Sequence, residues 1–147
     1  MKELNAIHKM WAEDSVLVAD LDEATRQSPK LHCKYLRLIS EARYKHKQLE
    51  LEQKRLLKQK WAYYNGKMDK EQIDALGWDY DPFNGLRVLK GDMNMYYDSD
   101  LHIQKSIEDV AYWKNIIDTL SEIIENIRWR HQNIGNIIKW RAFEAGT

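Results

Sequence analysis

Apolar residues recur at helical spacing along three stretches of this chain. Near the start, Leu4 and Ile7 share one face with Met10 or Trp11, which predicts a short helix within the first ~20 residues. Its acidic exit, Glu13, Asp14, Asp20, Asp22 and Glu23, predicts a turn into the next element. From about Leu31 to Tyr64 the positions Leu31, Tyr35, Leu38, Ala42, Leu49, Leu56 and Tyr63 recur at spacings of three, four or seven, one face of a long helix. Ser28 stands where a cap belongs, with Pro29 in the first turn, where a missing N–H costs nothing. Asn65-Gly66 is the expected stop, because glycine accepts the left-handed conformation of a helix end.

A second long helix is predicted from a cap at Ser99 or Asp98 to about Phe143. Its periodicity is the sharpest in the chain: Trp113, Leu120, Ile127 and Ile134 are seven apart, as are Ile117 and Ile124, with His131 in the gap before Ile138. Ile116 and Ile123 repeat beside them, with Arg130 in the gap before Ile137. Three positions in each seven make a stripe wider than a dimeric coiled-coil seam, so it needs cover on both flanks. The first long helix can cover the stripe within the chain, as a hairpin or small bundle, or it can cover one flank while a neighbouring copy covers the other; the second is expected, in heterologous contacts that close into a ring. Gly135, costly inside a helix, is expected to mark a close helix approach, and His131 a buried or interface position.

Between the long helices Gly77, Pro82, Asn84-Gly85 and Gly91 interrupt the pattern, with a β-like run at Leu86–Leu89. The expected fold class is mostly α: two long helices, a short N-terminal helix and a small irregular or hairpin insert, assembled through the C-terminal helix into a ring-like homo-oligomer. At 147 residues one domain is expected, with segments 1–25, 28–65, 66–98 and 99–144.

Composition narrows the function classes. One cysteine, Cys33, excludes a disulfide framework and a multi-cysteine metal site. The early apolar run Val16–Ala19 falls far short of the ~20 residues that span a bilayer, and no secretory leader is seen, so a soluble intracellular protein is expected. Basic and acidic residues balance at 23 each, yet residues 26–70 hold thirteen bases against four acids, a net +9, leaving −9 elsewhere. A separation of this kind either faces a polyanion or is a solvated helix face.

No phosphate loop, zinc-binding His pair or nucleophile elbow occurs, and no two of the five histidines stand three or four residues apart. Residues Asp79–Gly85 have a calcium-loop flavour, but Phe83 occupies a ligand position and Lys90 stands where a glutamate is needed. Neither an enzyme nor a cofactor or metal is expected. The positive signal is Lys54-Arg-Leu-Leu-Lys-Gln-Lys-Trp-Ala-Tyr-Tyr-Asn-Gly-Lys67. Lys54, Arg55, Lys58, Lys60 and Lys67 are candidate phosphate contacts, and Trp61 and Tyr64 candidate stacking partners, the combination that single-strand binding uses. A basic helix docking an acidic protein partner is the rival reading. A duplex-reading regulator would need a helix of base-specific polar residues, which is not seen.

Two segments carry a family resemblance. Leu57-Lys-Gln-Lys-Trp-Ala-Tyr-Tyr-Asn-Gly-Lys67 resembles the LKAR-x-x-YY-S/N-G segment of the UvsY recombination mediators of tailed phages, and Ile138-Lys-Trp-Arg-Ala-Phe-Glu-Ala-Gly-Thr147 resembles their closing I-x-x-M-R-A-F-E-A-G-K. The resemblance implies a hexamer-to-heptamer ring that binds single-stranded DNA coated by single-strand-binding protein and helps a RecA-like recombinase load, in the cytoplasm of the infected bacterial host. The basic pair maps onto Lys58 and Lys60, with Gln59 and Lys60 replacing the Ala and Arg of the pattern. Positive charge is kept, but lysine cannot grip a phosphate bidentately as arginine does. The ten positions Trp113, Ile116, Ile117, Leu120, Ile123, Ile124, Ile127, Ile134, Ile137 and Ile138 are the expected oligomerisation surface.

Overall fold

A computed structural model describes residues 1–83 and 85–146. The order is α1 (Lys2–Asp14), α2 (Leu21–Tyr64), α3 (Lys70–Leu76), a 3-10 turn (Lys90–Asp92), α4 (Met93–Ser99), α5 (Leu101–Arg128) and α6 (Arg130–Glu144). Among the described residues there is no strand, so Leu86–Leu89 is not a β-segment, and the insert is two short helices and a turn instead of a hairpin. The expected Asn84-Gly85 turn lies partly outside the described residues. No helix of the described residues is long and apolar enough to cross a membrane.

The helix limits correct the sequence reading in three places. α2 starts at Leu21, where the Asp20 carboxylate accepts from the Asp22 N–H at 3.0 Å, so Pro29 lies inside the helix and Ser28 is not its cap. Ser28 Oγ instead donates to the Ala24 carbonyl at 3.2 Å, a local bond within the helix. α5 is capped by Asp100, not Ser99 or Asp98: its Oδ1 accepts from the His102 and Ile103 N–H groups at 2.9 and 3.0 Å. The C-terminal helix is also divided at Trp129, giving α5 and α6.

The chain packs as two compact units, residues 1–45 with 112–147, and residues 46–111. In the first, Ile7 of α1, Tyr35, Ile39 and Ala42 of α2, and Ile116, Ile117, Leu120, Ile123, Ile124 and Ile127 of α5 form one core, with Trp113 packed against it. Ile134 is buried as well. The wide stripe is thus largely covered within the protomer, because α1 and α2 both lie on it. The oligomerisation assignment is corrected accordingly for Ile116, Ile117, Leu120, Ile123, Ile124, Ile127 and Ile134, whose side chains are already buried. Ile137 is half-buried and Ile138 exposed.

Polar groups finish this unit. Arg130, in the gap of the stripe, is 3% exposed and donates through Nη2 to the Asp14 carbonyl at 2.6 Å. The Asp14 carboxylate accepts from Lys34 Nζ at 2.6 Å and from the Tyr35 hydroxyl at 2.8 Å. Burial alone raises the Asp14 carboxyl, but these donors outweigh it and hold it below its ordinary value. Of the two positions expected for His131, buried or interface, the first is excluded, since the side chain is exposed, and a Cβ at Gly135 would meet only open space, so Gly135 marks no close approach within the protomer.

Candidate nucleic-acid interface

Helix α2 ends where the sequence predicts. The Gly66 N–H bonds the Tyr63 carbonyl at 3.2 Å and the Lys67 N–H the Ala62 carbonyl at 2.8 Å, the Schellman pairing, with Gly66 at a φ of +67°. This turn folds Lys67 back along the helix, so that its Nζ lies 4.4 Å from the centroid of the Trp61 ring. Trp61 stays 43% exposed, enough to offer its ring to a ligand. Lys54, Arg55 and Lys58 are exposed on the preceding turns.

Pairing divides the basic segment unevenly, and Lys30, Arg43 and Lys45 stand outside the ion pairs found among the described residues, as do the cations near the end of α2. Earlier in α2, Arg26 pairs with Asp22, Lys34 with Asp14, Arg37 with Glu41 and Lys47 with Glu50. Among the described residues, no carboxylate forms an ion pair with Lys54, Arg55, Lys58, Lys67 or Lys70. Like charge left bare in one place lowers its energy by meeting an external anion.

Two of the seven predicted residues are not on that surface. Lys60 is 3% exposed, with Nζ 2.9 Å from Asp100 Oδ2, 2.9 Å from His102 Nδ1 and 3.8 Å from the centroid of the Trp78 ring. All three ammonium protons therefore have partners inside the protein. Tyr64 is half-buried among Tyr63, Phe83, Tyr96 and Tyr97, and its hydroxyl donates to Asp100 Oδ2. The assignments of Lys60 to phosphate contact and Tyr64 to stacking are corrected: both side chains hold the end of α2 to the start of α5.

Asp100 is the hub of this cluster. Burial pushes its carboxyl up, but donation from Tyr64, Lys60 and the Ile103 N–H outweighs that and lowers it below the ordinary carboxylate value. Tyr64 is shifted the other way, upward, by burial first and then by its bond to Asp100. The same unit carries residues that periodicity did not single out. Lys70 Nζ is 5.4 Å from the centroid of the Tyr80 ring, and exposed Arg87 lines a cavity at the end of α2. They sit in the non-repeating insert, where only fold geometry brings them to the basic helix end. Among the described residues, no group of His, Cys, Asp and Glu could hold a metal ion.

The described residues make a small, almost wholly α-helical protein whose longest helix ends in exposed cations beside an exposed tryptophan. The family is identified by comparison. Residues 10–147 match the model of the family described as recombination, repair and ssDNA binding protein UvsY, and the chain belongs to that family. It is similar to the recombination protein uvsY of Enterobacteria phage T4, 28% identical over 116 residues, which cover 79% of this chain and 77% of that protein. The fold matches crystal structures of the bacteriophage T4 recombination mediator protein UvsY. One lattice form gives a TM-score of 0.80 at 24% identity over 97% of both chains. A second gives 0.78 at 22% identity over 96% of this chain and 98% of that one.

Proposed function

We propose that this protein is a recombination mediator: it binds single-stranded DNA and helps a RecA-like recombinase load onto strands coated by single-strand-binding protein, in the cytoplasm of an infected bacterial cell. Family membership supports the class. The observation that carries the binding surface is the run of exposed cations Lys54, Arg55, Lys58, Lys67 and Lys70 in the stretch that holds the exposed Trp61, none of them ion-paired among the described residues. No bond is made or broken in this reading; the protein shifts the equilibrium between coated and recombinase-bound strand by binding the geometry the recombinase prefers.

A few cations hold a strand weakly at physiological salt, with nonspecific dissociation constants of about 10⁻⁴–10⁻⁶ M, so the reading includes self-association to multiply the patch. With most of the stripe inside the protomer, the contact between copies is assigned to the exposed apolar residues at and after the break between α5 and α6: Trp129, Ile138, Trp140 and Phe143. The Trp140 and Phe143 rings already stack on each other, with centroids 5.7 Å apart. Light scattering of Trp140→Glu with Phe143→Glu tests this, with smaller particles expected; an unchanged mass moves the contact elsewhere.

Fluorescence titration of oligo-dT over a salt series tests the binding surface. Lys54→Ala with Lys58→Ala is expected to weaken binding and flatten the salt dependence by about 0.7 in slope for each phosphate no longer neutralised. No binding even at low salt would favour docking to an acidic protein instead.

A further inference from the structure

We propose that the cavity beside the end of α2 receives one unstacked nucleobase of a bound single strand. The inference rests on the strand-binding reading above and states where a base goes. The cavity holds 280 Å³, just under the ~300 Å³ at which pockets for drug-sized ligands begin, a size suited to one small planar ring system. Tyr63, Tyr64, Tyr80 and Phe83 line it, together with Asp81 and Arg87.

These walls differ in what they have left to offer. Tyr63, Tyr64 and Phe83 already pack on other rings and are held in place, Tyr63 by donating its hydroxyl to the Asp79 carbonyl at 2.5 Å. Tyr80 is 60% exposed, and among the described residues no other ring packs on it. The Lys70 ammonium lies 5.4 Å from its ring centroid. A flat apolar ligand therefore finds one open aromatic face in a cavity whose other rings are fixed.

Charge decides which part of a nucleotide enters. The Asp81 carboxylate on the wall repels a phosphate but accepts from the N–H of a base edge. Its Oδ1 takes the Gly85 N–H at 2.8 Å, which fixes Asp81 in a left-handed conformation, φ +50°, that aspartate tolerates better than most residues. Arg87 shares the wall with Asp81, so the lining has no net charge that would draw a phosphate in, and with Lys70 beside the Tyr80 ring it supplies the cations for the phosphates that flank the base. The cavity is built at the end of the same helix that carries Lys54, Lys58 and Trp61, so a strand lying on those cations reaches it without a second binding event.

The test compares oligo-dT with an equally long strand of abasic tetrahydrofuran residues, both titrated against the full chain by fluorescence anisotropy at one salt concentration. Wild type is expected to prefer oligo-dT. Tyr80→Ala is expected to cut that preference about tenfold, the order of one base stack, while its affinity for the abasic strand stays unchanged. Tyr80→Phe, which keeps the ring, is expected to retain the wild-type preference. If Tyr80→Ala keeps the preference, or weakens both strands equally, no base stacks there and the inference is overturned. Wild type that binds both strands equally overturns the pocket alone and leaves strand binding standing. Wild type that binds neither removes strand binding and the pocket together.

Discussion

In the unit formed by residues 1–45 and 112–147 the interior is aliphatic, with Ile39, Ile116, Leu120 and Ile123 closed around one another and the ionic groups Asp14, Lys34 and Arg130 gathered at one place. In residues 46–111 Ile73, Met93 and Ile103 are buried as well, but they share the interior with an ion pair, Lys60 and Asp100, set among Tyr63, Tyr64 and Trp78. The first interior is held by non-directional burial, at roughly 25 cal/mol per Å², so shape matters more than which apolar residue supplies it. The second is held by directional bonds between charges removed from water, where losing one partner leaves the other stranded. Truncation should therefore hurt both, while conservative changes should tell them apart.

Asp100→Ala is expected to give the largest loss, about 3–5 kcal/mol in urea unfolding, because it leaves the Lys60 ammonium buried without its counter-ion and removes the cap of α5. Lys60→Met in the Asp100→Ala background should recover part of that loss, since the stranded charge then disappears. A loss under about 1 kcal/mol would show the pair to be as dispensable as a surface salt bridge.

Leu120→Ala comes next, at about 2–5 kcal/mol, through the cavity left in a core where Leu120 is only 1% exposed. Leu120→Met should cost less than about 1.5 kcal/mol, because volume is conserved. Lys60→Arg keeps charge yet should be poorly tolerated, as a planar guanidinium cannot occupy the space between Asp100 and the Trp78 ring as an ammonium does. Equal tolerance of Leu120→Met and Lys60→Arg in thermal melts would erase the contrast between the two interiors.

Acid gives a smaller, graded effect. Asp100 and Asp14 both lie below their ordinary carboxyl values in the folded protein, so the unfolded chain takes up protons first as pH falls. Their stabilisation is complete above the unfolded carboxylate value of about 3.9 and is lost as pH drops through the lower folded values. In unfolding curves between about pH 5 and pH 2, Asp100→Asn should flatten this fall. A slope identical to wild type would place the acid sensitivity elsewhere.

How far the sequence could be read follows the same division. Seven-residue spacing reports a surface that repeats, so α1, α2 and the Ile-rich face of α5 were legible, and Asn65-Gly66 marked the end of α2. What covers that surface was not legible, because an apolar stripe looks the same whether α1 and α2 or a second copy lies on it. The basic segment was legible as composition, and Lys54, Arg55, Lys58, Trp61 and Lys67 do stand exposed on it. Lys60 and Tyr64 were misread because their partner, Asp100, lies 40 and 36 residues away respectively along the chain and announces itself locally only as a helix cap. Tyr80 and Arg87 belong to a stretch without periodicity, where neighbours in space cannot be inferred from spacing.

The smallest change in stability is the most informative about function, and it comes from two lysines two positions apart. Lys58 is exposed and pairs with no carboxylate among the described residues, so Lys58→Ala should alter stability by no more than about 0.5 kcal/mol. Its effect should fall on single-strand binding, with a salt slope shallower by about 0.7. Lys60→Ala should do the reverse: the melting temperature drops because Asp100 loses its counter-ion, while the salt slope measured on the folded fraction stays at the wild-type value. Loss of the same slope increment from both variants, with unchanged melting of Lys60→Ala, would mean that Lys60 leaves Asp100 to reach the strand. The buried pair would then be a latch that DNA opens, and the ionic interior would belong to binding as much as to folding.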